Sequence, residues 1–150
     1  MIALLQRVAR ACVSVAGTEV AAIGTGLLVF VAVEPGDTDA QVERLLVRLL
    51  AYRIFPDAQG RMNLDIRTAG GSLLLVPQFT LAADTRKGNR PSFTSTASPE
   101  LGERLFRNLC ARAQRLYPRV AVGVFGAHMQ VELVNNGPVT FWLRVAARQS

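Results

Sequence analysis

Thr80 is the side chain of this sequence that is best placed to act as a nucleophile. It ends the stretch Pro-Gln-Phe-Thr of residues 77–80, which directly follows the apolar run of residues 72–76. A hydroxyl or thiol nucleophile needs a base such as histidine, and the only histidine, His128, lies in a stretch whose alternation is typical of a strand. A β-branched residue in extended chain also has a purely structural explanation. The sequence leaves both interpretations of Thr80 open.

A second stretch that could serve a site contains the pair Gly137-Pro138. Apolar residues alternate on both sides of it as in strands, with Met129, Val131 and Leu133 before it and Val139, Phe141, Leu143 and Val145 after it. Proline has no N–H to give a strand ladder, so the backbone here is either exposed or used otherwise. The alternatives are an ordinary hairpin turn and a rigid surface of main-chain carbonyls.

Composition excludes several classes of protein. The cysteines, Cys12 and Cys110, have neither Cys-x-x-Cys spacing nor a secretory context, and we expect buried free thiols. No Cys/His/Asp/Glu cluster in the sequence has metal spacing, so we expect neither a metal nor a cofactor. The longest apolar run, residues 27–33, is far shorter than the ~20 residues that span a bilayer. Gln6 and Arg7 interrupt the apolar start before a signal-peptide core forms, which favours a cytoplasmic protein.

The charge of the chain permits a polyanionic partner. Its formal net charge is +6, its pI is about 10.6, and Lys87 is the only lysine among 17 basic residues. Arginine and lysine neutralise phosphates, so this balance permits RNA binding.

The elements that must position these residues follow from periodicity and caps. Thr38 and Gln41 have capping-box spacing before a helical apolar pattern that reaches Tyr52. Ser98 and Pro99 begin a second helix that reaches Leu116. Strands are predicted for residues 2–8, 11–16, 19–23, 27–33 and 72–76 and after Val120, with Val13, Val15 and Val20 facing inward and a loop over residues 84–97. Residues 1–150 are therefore expected to form one α+β domain, with a mostly antiparallel sheet and two helices packed on it.

Two motifs in this sequence resemble those of a known family. The first covers residues 76–85 (VPQFTLAADT) and continues as Arg-Pro-Ser-Phe at residues 90–93, and the second covers residues 135–141 (NNGPVTF). In this order they are similar to the motif pair of the D-aminoacyl-tRNA deacylases. The likeness extends over nearly the whole chain, from residues 1–8 to residues 139–142.

The resemblance implies a compact β-barrel-like fold that forms a homodimer. It also implies hydrolysis of the ester bond of D-aminoacyl-tRNA, with release of the free D-amino acid and tRNA. The partner would be aminoacyl-tRNA, contacted at its CCA end and acceptor stem. Because this ester is already activated, backbone N–H groups of Gln78, Phe79 and Thr80 could hold its carbonyl and developing oxyanion. The 2′-hydroxyl of the terminal adenosine could help to position or activate water.

Chirality would be sorted by Gly137-Pro138. In the family this pair is cis and enters the active site of the other subunit, where its carbonyls crowd the side that an L side chain would occupy. A main-chain wall rejects every L-residue whatever its side chain. Glycine has no side chain to reject, so Gly-tRNA mischarged on tRNA-Ala should also be a substrate. Arg7 matches a family arginine that braces the pair, although a solvated charge at a strand edge is the plain alternative.

The remaining site residues are substrate contacts. Pro77, Phe79, Phe125 and Met129 are expected around the substrate and its adenosine, with core packing as the alternative for Phe125 and Met129. Three charges of the polar loop could meet acceptor-stem phosphates or be merely solvated: Arg86, Lys87 and Arg90.

One departure from the family pattern concerns substrate breadth. The family's first motif usually opens with Ser, where this chain has Pro77, which has neither a hydroxyl nor an N–H. A sister family that removes mischarged L-alanine opens with Pro-Gln but continues with Ala, whereas Phe79 is retained here. The leading expectation is D-selective hydrolysis, and the alternatives are a relaxed deacylase that accepts L-Ala-tRNA, a non-catalytic RNA-binding module and a structural dimerisation domain.

Overall fold

The computed structural model describes residues 1–147. Its strands are β1 (Ile2–Val15), β2 (Thr18–Ile23), β3 (Gly26–Ala32), β4 (Phe55–Pro56), β5 (Met62–Leu64), β6 (Ser72–Pro77), β7 (Val120–Val122) and β8 (Met129–Arg144). Its helices are α1 (Asp39–Ala51), the four-residue α2 (Ile66–Ala69) and α3 (Pro99–Leu116), with a 3₁₀ turn at Phe79–Ala82. The α+β prediction is confirmed, and α2, β4 and β5 were not predicted.

The main sheet curls around the long central strand β1. The strand order is β2-β1-β3-β6-β7, and β8 also pairs with β1. β1 is antiparallel to β2, β3 and β8, whereas β6 is parallel to β3 and β7. Because β2 also contacts β6 and β7, the sheet closes into a nearly complete barrel. The sheet is therefore mixed rather than simply antiparallel, since the connection through α1 returns the chain in the direction of β3.

Both main helices begin where their caps predicted. The Thr38 hydroxyl accepts a hydrogen bond from the N–H of Ala40, and the Gln41 side chain accepts one from the N–H of Thr38, which completes the capping box. The Ser98 hydroxyl caps α3 by accepting from the N–H of Leu101. The apolar stripes of α1 and α3 pack with one face of the sheet in a continuous core, which includes Leu5, Leu27, Val29, Leu45, Leu49, Leu75, Leu105 and Leu109.

A second core fills the inside of the curl, formed by Val8, Ala11, Val13, Leu28, Leu74 and Val76. Each face of the sheet is therefore apolar, as alternating residues along β3 and β6 require. The prediction that Val20 also faces inward is wrong, because its side chain is 43% exposed on β2.

Two local predictions about β1 and its hairpin are corrected. β1 is one continuous strand, whereas the sequence suggested separate strands over residues 2–8 and 11–16. The polar residues Arg7 and Arg10 mark register shifts against β8 at which β1 changes the face it buries. The predicted strands over residues 11–16 and 19–23 place the turn at Gly17 and Thr18, whereas it falls on Ala16 and Gly17, both with positive φ, of 49° and 80°.

Both thiols are free, and they differ in burial. Cys110 is buried in α3, whereas Cys12 is only half-buried on β1, which corrects the expectation that both are buried. Within residues 1–147, no helix has the length and apolar character needed to cross a membrane.

Candidate active site

A cleft of about 490 Å³ lies where β3 and β6 end. Its walls come from Val31 and Val33, from residues 76–79, from residues 96–99 leading into α3, and from residues 125–129 leading into β8. The cleft thus collects chain segments that are far apart in the sequence around the ends of two parallel strands.

The cleft brings together five of the predicted site residues. Its lining includes Pro77, Gln78, Phe79, Phe125 and Met129. Thr80 follows directly after this wall but is not part of the lining. The remaining predicted residues lie outside the cleft of the same chain, namely Arg7, Arg86, Lys87, Arg90, Gly137 and Pro138.

Backbone N–H groups at the cleft differ in whether they are available. The N–H of Gln78 donates to the carbonyl oxygen of Val31 at 2.7 Å, so this donor is already engaged within the chain. The chain then turns into the 3₁₀ segment, whose first N–H groups have no partner within the turn itself. Within residues 1–147, no acceptor bonds the N–H of Phe79 or Thr80. Two adjacent main-chain donors are therefore free beside the cleft.

The Thr80 hydroxyl has no base next to it. Its side chain is exposed and accepts a hydrogen bond from the Gln78 side-chain amide. His128 lies exposed on the cleft lining, and no hydrogen bond joins it to Thr80. No group of three or more His, Cys, Asp or Glu side chains suitable for a metal occurs in the described part of the chain. The arrangement favours chemistry that relies on main-chain donors.

Aromatic rings line two parts of the cleft. Phe79 is 58% exposed and packs against Phe93, with ring centroids 5.3 Å apart. Phe125 is half-buried and packs against Phe106, with centroids 6.3 Å apart, so it belongs to both the cleft and the core. Phe79 therefore offers an open ring face, whereas Phe125 forms a fixed wall.

Two glycines allow neighbouring segments of the cleft to pack closely against each other. A Cβ at Gly123 would lie 3.1 Å from the Met129 sulfur and 3.5 Å from Cδ of Pro77. A Cβ at Gly102, inside α3, would lie 3.5 Å from the Phe125 ring. Our sequence reasoning missed both positions, although a glycine within a helical pattern is itself a signal of close packing.

Gly137-Pro138 forms an exposed bulge within β8. Between the pairs Gln6–Thr140 and Val8–Asn135, β1 advances two residues and β8 advances five. The hairpin alternative is therefore wrong, because β8 pairs with β1 on both sides of the bulge. Gly137 and Pro138 are exposed, their peptide bond is cis, and Gly137 has a φ of 146°.

Side chains hold this bulge from both ends. Arg7 donates from Nε to the carbonyl oxygen of Asn136 at 3.0 Å and from an Nη to that of Ile54 at 2.8 Å. The Asn135 side chain accepts from the N–H of Val139 and donates to the carbonyl oxygens of Val139 and Arg7. The role of Asn135 was missed, although asparagine commonly replaces backbone partners in tight turns.

The polar loop is closed at its base. Asp84 and Ser92 exchange two backbone hydrogen bonds of 2.9 and 3.0 Å. The Arg86 guanidinium binds the Asp84 carboxylate through two hydrogen bonds, and these bonds hold the pKa of Asp84 well below its ordinary value. Lys87 and Arg90 are exposed on the same loop. Arg86 is thus already paired with Asp84, whereas Lys87 and Arg90 have no ion-pair partner within residues 1–147.

Comparison with known proteins agrees with these motifs. The sequence profile of the family described as D-Tyr-tRNA(Tyr) deacylase matches residues 4–144. This chain belongs to that family. A D-aminoacyl-tRNA deacylase of Azotobacter vinelandii is 62% identical over 95% of this chain and 99% of its own length. One of Thioalkalivibrio sulfidiphilus is 61% identical over 97% of both chains. The predicted family and the predicted enzyme class, a D-aminoacyl-tRNA deacylase, are confirmed.

The fold of the deacylase family is also shared by solved structures. A protein described as c-Myc DNA Unwinding Element Binding Protein superimposes with a TM-score of 0.93 at 34% identity, covering 98% of this chain and all of that one. This superposition supports the predicted barrel-like fold. The description of that solved protein names DNA binding rather than deacylation.

Proposed function

We propose that this chain hydrolyses D-aminoacyl-tRNA in the cleft beside Phe79, with main-chain groups as its principal catalytic donors. The observation that carries the proposal is the pair of free N–H groups at Phe79 and Thr80 beside a cleft without a base at Thr80. The two donors would bind the ester carbonyl oxygen as it gains negative charge, and one such donor is worth roughly 2.7–4 kcal/mol.

The reaction needs only water as its second reactant. Water adds to the ester carbonyl carbon, and the resulting oxyanion is held by the N–H groups of Phe79 and Thr80. The bond from the carbonyl carbon to the ribose oxygen then breaks. The ribose oxygen takes up a proton, and the products are the free D-amino acid and tRNA. The neighbouring ribose hydroxyl would orient the water, which explains why the protein requires no side-chain base.

Chiral selection is proposed for the bulge at Gly137-Pro138. Its exposure makes its carbonyls available, and its bonds to Arg7 and Asn135 make it stiff. The bulge lies across β1 from the start of β3, near Gly26, whereas the cleft begins at Val31. Five residues of strand span roughly 16 Å. Gly137 and Pro138 are not among the residues that line the cleft of their own chain, so in this proposal a second copy in a homodimer supplies the bulge.

This wall implies two limits on substrate choice. The main-chain surface at Gly137-Pro138 would exclude an L side chain by steric overlap. It would not contact a D side chain, so many D-amino acids would be accepted. Glycine offers nothing for the wall to reject, so glycine mischarged on tRNA-Ala would also be removed. The enzyme would act on the CCA end in the cytoplasm, with Lys87 and Arg90 near the acceptor-stem phosphates.

A relaxed deacylase that also accepts L-Ala-tRNA is a second candidate. Pro77 favours it, because this position carries Ser in most of the D-selective family. Phe79 argues against it, because its ring lines the cleft at the position where the family that removes L-alanine has the smaller Ala. The larger ring leaves less space for the substrate.

Hydrolysis assays with purified protein separate these functions. D-Tyr-tRNA should be cleaved saturably and L-Tyr-tRNA should survive. Cleavage of L-Ala-tRNA at a comparable rate would establish the relaxed deacylase. Absence of any cleavage, together with tRNA binding, would leave a non-catalytic RNA-binding module.

The origin of the wall can be tested with mixed dimers. One protomer carries Ala97→Trp to fill its cleft, and the other carries Gly137→Ala and Pro138→Ala. If the wall comes from the partner, the mixture regains D-selective hydrolysis, since one open cleft faces one intact wall. A mixture as defective as its parents would refute the shared site.

A further inference from the structure

Phe93 is an exposed aromatic residue next to the cleft that our sequence reasoning assigned no role. Its side chain is 42% exposed, and its ring is tilted by 55° against that of Phe79. No other aromatic ring pairs with Phe79 in the described part of the chain. Phe79 lines the cleft, and its contact with Phe93 extends the apolar surface beyond the cleft wall. Lys87 and Arg90 precede Phe93 in the same loop.

The backbone of Phe93 is fixed on both sides. Its carbonyl oxygen accepts from the N–H of Thr96 at 3.1 Å and from the Thr96 hydroxyl at 2.7 Å, and Thr96 lines the cleft. On the other side, Ser92 is paired with Asp84 at the base of the loop. Phe79 follows Gln78, whose N–H is bonded to Val31, and begins a single 3₁₀ turn. The Phe93 ring is the less exposed of the two, 42% against 58%, and its carbonyl oxygen is also held by the Thr96 hydroxyl.

We propose that Phe93 is a positioning residue that holds the Phe79 ring for stacking on the adenine at the 3′ end of tRNA. Nucleic-acid bases stack on open aromatic faces, and Phe79 presents such a face beside the free N–H groups. A fixed ring would place the terminal ribose and its ester against those donors. The inference rests on the proposed function and names the part of the substrate that this surface binds.

Removal of the second ring should weaken substrate binding more than turnover. Phe93→Leu keeps an apolar side chain and removes the aromatic contact. Such a contact usually corresponds to about a 3- to 10-fold change in affinity. We expect KM for D-Tyr-tRNA to rise by about that factor while kcat changes less than about twofold. Phe93→Tyr, which keeps the ring, should restore KM. A fall in kcat alone, or no rescue by tyrosine, would overturn the proposal.

A binding cycle identifies the group that is stacked. Fluorescence anisotropy measures the affinity of wild type and Phe93→Leu for uncharged tRNA and for the same tRNA without its 3′-terminal adenosine. The substitution should weaken binding of intact tRNA and leave binding of truncated tRNA unchanged, because the interacting partner has been removed. Equal weakening of both RNAs, or of neither, would overturn the proposal.

Two controls exclude a general effect on the fold. Val20→Ala alters a side chain of matched exposure, 43%, on strand β2 and outside the cleft lining, and should change neither affinity. Thermal unfolding checks each variant, and Phe93→Met replaces Phe93→Leu in the same cycle should that variant not fold. The cycle needs no hydrolysis. A positive cycle without cleavage by wild type would refute the deacylase function alone, and cleavage with a negative cycle would refute the role of Phe93 alone.

Discussion

Arg7 and Asn136 are joined by a 3.0 Å hydrogen bond from the guanidinium Nε to the backbone carbonyl oxygen that precedes Gly137. The same guanidinium binds the carbonyl oxygen of Ile54, on a different segment of the chain. Since β8 leaves its pairing with β1 at this point, Arg7 replaces the missing ladder bonds with side-chain donors. Arg7 therefore fixes the bulge to the segment that contains Ile54.

Arg7→Ala should loosen the bulge and weaken chiral selection. Hydrogen bonds from charged donors contribute about 1.5–3 kcal/mol, so we expect the ratio of D-Tyr-tRNA to L-Tyr-tRNA cleavage to fall roughly 10- to 100-fold. Single-turnover hydrolysis of both substrates measures this ratio. Arg10→Ala, on the same strand, is the matched control and should leave it unchanged. An unaltered ratio in Arg7→Ala would show that the bulge needs no brace.

Gly137→Ala should distort the bulge itself. The added Cβ would lie 2.5 Å from Cγ2 of Val139 and 2.8 Å from its backbone nitrogen, at a φ of 146° that L-residues rarely adopt. We expect a loss of about 1–3 kcal/mol in the free energy of unfolding or a displaced bulge with impaired D-selective hydrolysis. Denaturant unfolding and the hydrolysis assay distinguish these effects. Gly24→Ala, with open space around its Cβ, should be neutral in both.

Thr80→Val should retain most of the activity. The substitution removes the hydroxyl but keeps the branched shape and the backbone N–H, which is the group proposed to act. We expect kcat within about tenfold of wild type, because one lost neutral hydrogen bond costs about 1 kcal/mol. Thr80→Ser, which keeps the hydroxyl, is the paired comparison. Activity reduced a thousandfold in Thr80→Val but normal in Thr80→Ser would make Thr80 a side-chain nucleophile.

Lys87 and Arg90 should carry the salt dependence of tRNA binding. Each contact to a phosphate adds roughly one unit to the slope of log affinity against log salt, so Lys87→Ala and Arg90→Ala should each reduce it by about one. Arg86→Ala should change the slope less, because Arg86 is already paired with Asp84. Titrations at several salt concentrations measure the slopes. Arg115→Ala, at the end of α3, is the control, and equal slopes in all variants would exclude this loop as a phosphate contact.

Cys110 should make the fold sensitive to alkaline pH. Burial raises the pKa of its thiol from 9.0 to about 12. Between these values the unfolded chain releases a proton that the folded chain keeps, so stability falls as pH rises, by about 1.4 kcal/mol per pH unit. Cys110→Ala should therefore lose less stability than wild type between pH 8 and pH 10.5 in denaturant unfolding. Cys12→Ala, whose thiol is half-buried, is the control, and parallel losses in all three proteins would contradict the burial of Cys110.

The sequence by itself determined the family, the two main helices and their caps, and most strands. These features depend on local signals, namely side-chain caps, the 3.6- and 2-residue periods, and contiguous motifs. It also placed Pro77 and Phe79, which lie in a family motif, and Phe125 and Met129, which lie outside both motifs, among the cleft residues. Periodicity did not predict α2, β4 or β5, because each has only two to four residues, although α2 has local caps in Asp65 and Gly70.

Only the tertiary structure decided how the site is assembled. The Gln78 N–H is engaged because it donates to the carbonyl oxygen of Val31 at the end of β3. β8 continues through Gly137-Pro138 because it pairs with β1 on both sides of the bulge. The contact between Phe79 and Phe93 likewise depends on how a loop folds back. Such relationships join residues that are distant in the chain, and the geometry of a hydrogen bond or ring contact is fixed by three-dimensional packing rather than by residue order.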